Sequence, residues 1–306
     1  MQAFLQELRR GEEGAEHLLK CTRRVTKREC LTLEDVGLFL RNFDCVAFLG
    51  GGAFGAVFEL RGGEAAKVVP QTVGTDAHRE FEMQKKFAAL GLAPVPSSFR
   101  SFSLCQPIPP RDALPSEAQG LCLTVTTMPL VHATLQQRLA RKRLAQEELS
   151  SLGASLRSCI LRARRHHLVH NDLKCNNVAV ERSTGRVIFI DFGKSLDAAR
   201  LKELQPRVAD AGRTLDLAAA LDCWRLQASV RTCLRKRPDL DATPLLDPLR
   251  QLCLACLREQ PEEAAWLSAC EDGCWSDSTI FERLKAAYRK SLSFPSSVQP
   301  SVEAGA

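Results

Sequence analysis

No stretch of this chain approaches the roughly 18 consecutive apolar residues of a membrane-spanning helix. The opening MQAFLQELRRGEEG breaks its few apolar residues with arginine and glutamate, so neither a spanning segment nor a secretory leader is expected. Basic residues exceed acidic ones to give a net charge of +6, yet no long basic tract gathers the excess, and nucleic-acid binding has no support. Solenoid-type repeats are also missing. The thirteen cysteines are odd in number and irregularly spaced. That argues against a disulfide framework and for reduced thiols in an intracellular setting, cytoplasmic or nuclear.

What is present is apolar material for a substantial core. Of the 306 residues 45% are hydrophobic, and that length suits either two modest domains or one bilobal unit. Residues 1–44 read as a helical N-terminal extension. In it Phe4, Leu5 and Leu8 recur at helical spacing, and Thr32 with Asp35 makes a capping box ahead of Val36, Leu38, Phe39 and Leu40. Short β pieces follow at Cys45–Leu49, Ala56–Leu60 and Ala65–Val69, parted by a glycine loop and by Arg61-Gly62-Gly63. A helix from about Asp76 to Leu90 should end at Gly91 and Pro94/Pro96. Strands near Phe99–Leu104 and Leu121–Thr127 flank the irregular, proline-rich CQPIPPRDALPSEAQG. From Thr134 helices dominate, with a long one at Gln146–His166 and two β pieces, Val178–Val180 and Val187–Ile190, around Ser183-Thr184-Gly185. The tail Pro295–Ala306 is expected to be disordered.

Four motifs carry the chemistry. Gly50-Gly51-Gly52-Ala53-Phe54-Gly55 fits G-x-G-x-x-G, a loop in which backbone amides approach phosphates without side chains in the way. A dinucleotide site would continue into a helix, whereas Ala56-Val57-Phe58-Glu59-Leu60 alternates like a strand and sets Val57 against the nucleotide. A glycine-rich hairpin without a ligand is the alternative. Ala65-Ala66-Lys67-Val68-Val69 places one lysine in an apolar strand, where its ammonium needs anions. Nucleotide phosphates supply one and a helix glutamate the other. Glu80 is chosen because Met83 and Phe87 then face the core at +3 and +7, with Glu82 as the second choice. A lysine snorkelling to solvent from an edge strand is the bland alternative.

In His170-Asn171-Asp172-Leu173-Lys174-Cys175-Asn176-Asn177, Asp172 and Asn177 lie five residues apart between a helix and a strand, a spacing that lets them converge. Asp172 suits accepting the proton of an attacking hydroxyl, Lys174 neutralising the transferred phosphoryl group and Asn177 ligating magnesium, while His170 reads as a packing residue. Asp191-Phe192-Gly193 directly follows the apolar run Val187–Ile190, so that a strand delivers the carboxylate. There a carboxylate provides an oxygen ligand for a hard dication.

From Cys45 to Asp216 these motifs, in this order, resemble the eukaryotic protein-kinase superfamily. The resemblance implies an α+β, bilobal protein-kinase-like fold: a small β-rich N-lobe with one main helix over residues 45–128, and a larger α-helical C-lobe over 129–294. It implies that Gly50, Gly52, Gly55 and Val57 contact ATP, that Lys67 and Glu80 form an ion pair, that Asp172 and Lys174 are catalytic, and that Asn177 and Asp191 hold Mg2+. The string Asp172-Leu173-Lys174 resembles serine/threonine kinases and points to a protein substrate. Two alternatives stay open: a small-molecule or lipid kinase on the same fold, and a pseudokinase scaffold that binds nucleotide without transfer. Departures from the pattern are Asn171 for the usual arginine, no A-P-E after the triplet, and Gln84 where the family has an apolar residue, so that Gln84 is expected to be exposed or polar-bonded. Asp216 resembles the aspartate that accepts catalytic-loop amides, with a solvent-facing cap as the alternative.

Three further features have bland readings beside sharper ones. Cys253 and Cys256 with Cys270 and Cys274 suit either zinc or, for the first pair, buried thiols on an apolar helix. Arg138, Arg141, Lys142, Arg143, Arg162, Arg164 and Arg165 suit an acidic substrate or merely solvated helix faces. Cys175 is reactive only if exposed.

Overall fold

The computed structural model of the chain describes residues 2–26, 31–72, 77–105, 121–131, 133–141, 144–181, 185–235, 237–260, 263–265 and 277–292. Outside them fall the proline-rich loop 106–120, Asp76, Lys142, Arg143, Ser183, Thr184, Cys270, Cys274 and the tail 295–306. The described residues divide into two compact units, Met1–His132 with Ile190–Gly193, and Ala133–Phe189 with Lys194–Ala306. The class is α+β, a small antiparallel sheet with helices in the first unit and a mainly helical second unit.

In the first unit, α1 (Gln2–Thr26) and α2 (Leu33–Asn42) precede the strands β1 (Cys45–Gly51), β2 (Ala56–Leu60) and β3 (Glu64–Thr72). The capping box at α2 is reciprocal: Thr32 Oγ1 accepts the Asp35 amide at 3.1 Å, and Asp35 Oδ2 accepts the Thr32 amide at 2.8 Å. Helix α3 (Ala77–Ala89) closes with Leu92 N–H on Phe87 O at 2.9 Å and Gly91 N–H on Ala88 O at 2.8 Å, around Gly91 at φ +67°. Strands β4 (Ser98–Cys105) and β5 (Leu121–Pro129) complete an antiparallel sheet of order β1-β2-β3-β5-β4.

Alternation along the strands gives the sheet two different faces. Ala56, Phe58, Ala66, Val68, Leu123 and Val125 form one core with Ala15 and Leu18 of α1 and Val36 and Leu40 of α2. Lys67, between Ala66 and Val68, stands on the opposite face, the side where α3 presents Glu80. Burial of about 1.5–3 kcal/mol per large apolar side chain thus fixes which way the lysine points.

The second unit holds β6 (Ala133–Thr134), α4 (Leu135–Leu139), α5 (Gln146–Arg165), β7 (Val178–Val180), β8 (Val187–Phe189), α6 (Ala198–Leu204), α7 (Ala211–Leu234), α8 (Thr243–Arg258) and α9 (Asp277–Leu292). Strands β6, β7 and β8 pair in that order. Helix α7 is apolar on almost every side, with Leu215, Leu217, Ala218, Leu221, Leu226 and Val230 buried, as befits a helix enclosed by others. The predicted strand Val187–Ile190 stops at Phe189. Among the described residues no helix is long and apolar enough to cross a membrane, and Cys21, Cys45, Cys122, Cys159, Cys175, Cys223, Cys233, Cys253 and Cys256 are free thiols.

Candidate functional site

Lys67 is the electrostatic centre of the first unit's site. Its Nζ donates to Glu80 Oε1 at 2.5 Å and to Asp191 Oδ1 at 2.7 Å. Burial opposes the ammonium, but the two carboxylates together outweigh it and hold the pKa above the ordinary lysine range. Glu80 also accepts the Phe192 amide at 3.1 Å. Phe192 is itself buried, its ring 4.9 Å from that of Phe87 on α3. One glutamate thus ties strand, helix and triplet together. Met83 and Phe87 are buried at the positions that orient α3, while Glu82 pairs with its neighbour Lys85 at 3.0 Å. Gln84 is buried and donates to Pro94 O at 3.0 Å, so a polar bond replaces the apolar contact at that position.

Asp191 has φ +69° and its side chain is 46% exposed. Aspartate is among the few L-residues that enter the left-handed region at modest cost. The conformation turns the carboxylate onto Lys67 while Phe192 goes into the core.

The glycine loop is the turn of the β1–β2 hairpin, with Gly50 opposite Val57 and Gly51 opposite Ala56. Gly52 N–H donates to Gly55 O at 2.9 Å, so that amide closes the turn. A Cβ at Gly55 would meet Val68 O at 2.4 Å, whereas one at Gly50 or Gly52 would meet nothing within 4 Å. Gly55 is therefore required by strand packing, and the space at Gly50 and Gly52 is open. Val57 pairs in register with Lys67, which places both side chains on one face.

In the second unit, Asp172 lies in a loop pinned from several sides. An antiparallel bridge joins Val169 and Leu196 through bonds of 2.9 and 2.8 Å. Asn171, at φ +62°, donates through Nδ2 to Lys194 O at 3.2 Å. His170 is buried with its ring edge-on to Phe189 at 5.8 Å, and its carbonyl accepts from Ser195 Oγ at 3.1 Å, a packing role. Asn177 Nδ2 donates to the Asp172 carbonyl at 2.9 Å and to Asp172 Oδ2 at 3.3 Å. With the nitrogen so directed, the amide oxygen is the atom of Asn177 placed to meet a cation. Lys174 Nζ lies 3.0 Å from Asp172 Oδ2, and Lys194 Nζ lies 3.4 Å from Oδ1. Lys194 was not singled out by the motif, because nothing in the sequence folds it back onto Asp172.

Beneath this loop the structure corrects the reading of Asp216. Its carboxylate accepts Arg164 Nε at 2.7 Å and makes an ion pair between α5 and α7. The aspartate that takes the loop amides is Asp222, which is 1% exposed and accepts the Leu173 amide at 3.3 Å and the Asn171 amide. Arg225 Nη1 bonds Asp222 Oδ1 at 3.2 Å, Asn171 O at 3.2 Å and Asn171 Oδ1 at 3.3 Å. Burial raises the Asp222 pKa to about 6 against the opposing pull of Arg225 and the two amides. The missed signal was an acid inside the apolar run Leu217–Trp224 with an arginine three residues on, a carboxylate that needs internal partners.

The remaining features take their bland readings where they are described. Cys253 donates to Ala220 O and Cys256 to Asp216 O, both at 3.3 Å, as thiols do. Among the described residues no group of three or more His, Cys, Asp or Glu is arranged for a metal. Arg138 pairs with Glu148, and Arg164 with Asp216 and Glu259. Cys175 is buried, and burial raises its thiol pKa.

Hard oxygen donors suit magnesium, and Asn177 and Asp191 are of that type, an amide oxygen and a half-exposed carboxylate. No protein-family model matches the chain, and no curated protein matches it. Among solved structures it is similar to the Cydia pomonella granulovirus kinase PK-1, with a TM-score of 0.41 and 14% identity, covering 70% of this chain and 81% of that one.

Proposed function

We propose that the protein is an ATP- and magnesium-dependent protein kinase that transfers the γ-phosphoryl group to serine or threonine hydroxyls. The observation that carries this reading is Lys67, an ammonium on the face of the sheet opposite the core shared with α1 and α2, held at 2.5 Å from Glu80 and 2.7 Å from Asp191. Two carboxylates delivered by a helix and by the Asp191-Phe192-Gly193 triplet fix the direction of that ammonium as well as stabilising it, and a buried titratable group held in this way supports a functional role.

In this reading Lys67 orients the nucleotide phosphates and Glu80 keeps it in place. Asp172 accepts the proton as the acceptor oxygen bonds to the γ-phosphorus and the bond to the β-bridging oxygen breaks, ADP leaving with that electron pair. Lys174 offsets charge on the transferred group. Magnesium, when bound by Asn177 and Asp191, neutralises phosphate charge. The test is incubation with magnesium and γ-labelled ATP alone, read by label transfer and intact mass. Added phosphate on the wild type and its loss in Asp172→Asn are expected. Wild-type turnover by Asp172→Asn would overturn the mechanism.

The short segment between Gly193 and the start of α7 at Ala211, which lacks A-P-E, favours as a second reading a small-molecule acceptor on the same machinery. A saturable metabolite acceptor with no labelling of any protein would select it.

A further inference from the structure

Helix α1 reaches the glycine loop directly. Ala15 and Leu18 anchor the helix in the sheet core, at 4% and 0% exposure. From one face of the helix, four residues apart, His17 Nε2 lies 3.0 Å from Gly52 O and Cys21 Sγ donates to the same oxygen at 3.6 Å. A carbonyl only accepts, so His17 carries its hydrogen on Nε2 in this bond. The His17 ring also covers Gly51 so closely that a Cβ there would lie 2.2 Å from Nε2, and it packs against Phe48 of β1 at 5.7 Å.

The consequence follows from the planar trans peptide, in which C=O and N–H point opposite ways. With Gly52 O drawn toward α1, the Ala53 N–H is directed away from α1. Helix α1 covers the Phe58 face of the hairpin, where a Cβ at Gly14 would lie 2.5 Å from the Phe58 ring. Lys67 and its register partner Val57 stand on the other face. The amide is thus turned toward the side that carries the lysine.

We propose that α1 is a positioning element for nucleotide binding: through His17, seconded by Cys21, it holds the Gly52–Ala53 peptide so that the Ala53 amide faces the phosphates. The inference rests on the kinase reading above. It adds that the loop is preorganised from outside the β1–β2 hairpin, and that residues His17, Gly51 and Gly52 form one coupled unit. A hairpin with open space at Gly50 and Gly52 has many loop conformations available, and holding one of them removes an ordering cost from binding.

The test measures binding of a fluorescent ATP analogue with magnesium to the full chain, together with KM and kcat for ATP and for the acceptor. Loss of one such hydrogen bond should weaken nucleotide binding by about tenfold in His17→Ala, with acceptor KM unchanged and a thermal melt showing the fold retained. His17→Gln, which keeps a donor, should restore most of the affinity. Gly51→Ala should weaken binding in the wild-type background through collision with the His17 ring, and cost little more when combined with His17→Ala. Wild-type affinity in His17→Ala, or independent effects of Gly51→Ala and His17→Ala, would overturn the inference while leaving the kinase reading standing. Absence of nucleotide binding by the wild type would overturn both.

Discussion

Asp222 and Leu173 are joined across 49 residues of sequence by a 3.3 Å bond from backbone amide to carboxylate, with the aspartate wholly enclosed. The central helix of the second unit thereby sets the height and direction of the segment that carries Asp172. Arg225, one turn further on the same helix, ties the arrangement to Asn171. Asn171 takes the place of the arginine expected by resemblance, and asparagine suits the left-handed backbone found there.

Asp222 should make stability depend on pH. Its pKa rises from 3.8 to about 6 on burial, so between those values the folded protein keeps a proton that the unfolded chain has released. The stabilisation from this group is complete below the lower value and declines as pH rises through the upper one, by on the order of 3 kcal/mol. Asp222→Asn cannot titrate. Thermal melts at pH 5 and pH 7.5 should show the gap between wild type and Asp222→Asn narrowing at the higher pH. A gap that widens would show the ionised carboxylate to be favoured by Arg225 and the amides.

Lys67→Met should leave Glu80 and Asp191 facing each other without their cation. Removal of one partner of a buried ion pair costs on the order of 3 kcal/mol, read from urea denaturation at neutral pH. The raised Lys67 pKa means that its contribution is fully present at neutral pH and is lost only under strongly alkaline conditions. Glu80→Gln should lower nucleotide affinity more than acceptor affinity, since Lys67 then keeps one carboxylate and the Phe192 amide loses a charged acceptor.

Cys175 should resist alkylation in the native protein. It is fully enclosed and burial disfavours its thiolate, so iodoacetamide at pH 8 should modify it only after denaturation, as read by peptide mass mapping. Rapid native labelling would show that the loop opens.

Thr32→Ala should remove the reciprocal cap of α2 and cost about 1 kcal/mol in unfolding free energy. Thr32→Ser keeps the hydroxyl and should restore most of that loss.

The strands and helices that bear motifs were legible because local chemistry marks them. Lys67 among alanines and valines, the pairing of Glu80 with buried Met83 and Phe87, and the Thr32–Asp35 cap all follow from spacing that one strand or one helix imposes. Asp222, Lys194 and His17 were not legible in the same way. Each acts through a partner distant in sequence, Leu173, Asp172 and Gly52, and no periodicity links those pairs. Asp216 was misread because an aspartate on an apolar helix looks alike in sequence whether it meets a backbone amide or, as here, Arg164 at 2.7 Å.

The order of residues by itself determined where carboxylates, amides and the strand ammonium occur, and which face of each strand or helix is apolar. Those properties arise from covalent geometry and from the periods of 2.0 and 3.6 residues. Only the tertiary structure decided that Asp222 rather than Asp216 supports the loop, and that an N-terminal helix grips a glycine carbonyl. The physical reason is that a buried polar atom must find a partner wherever packing brings one within about 3 Å, and packing is settled by the whole core at once.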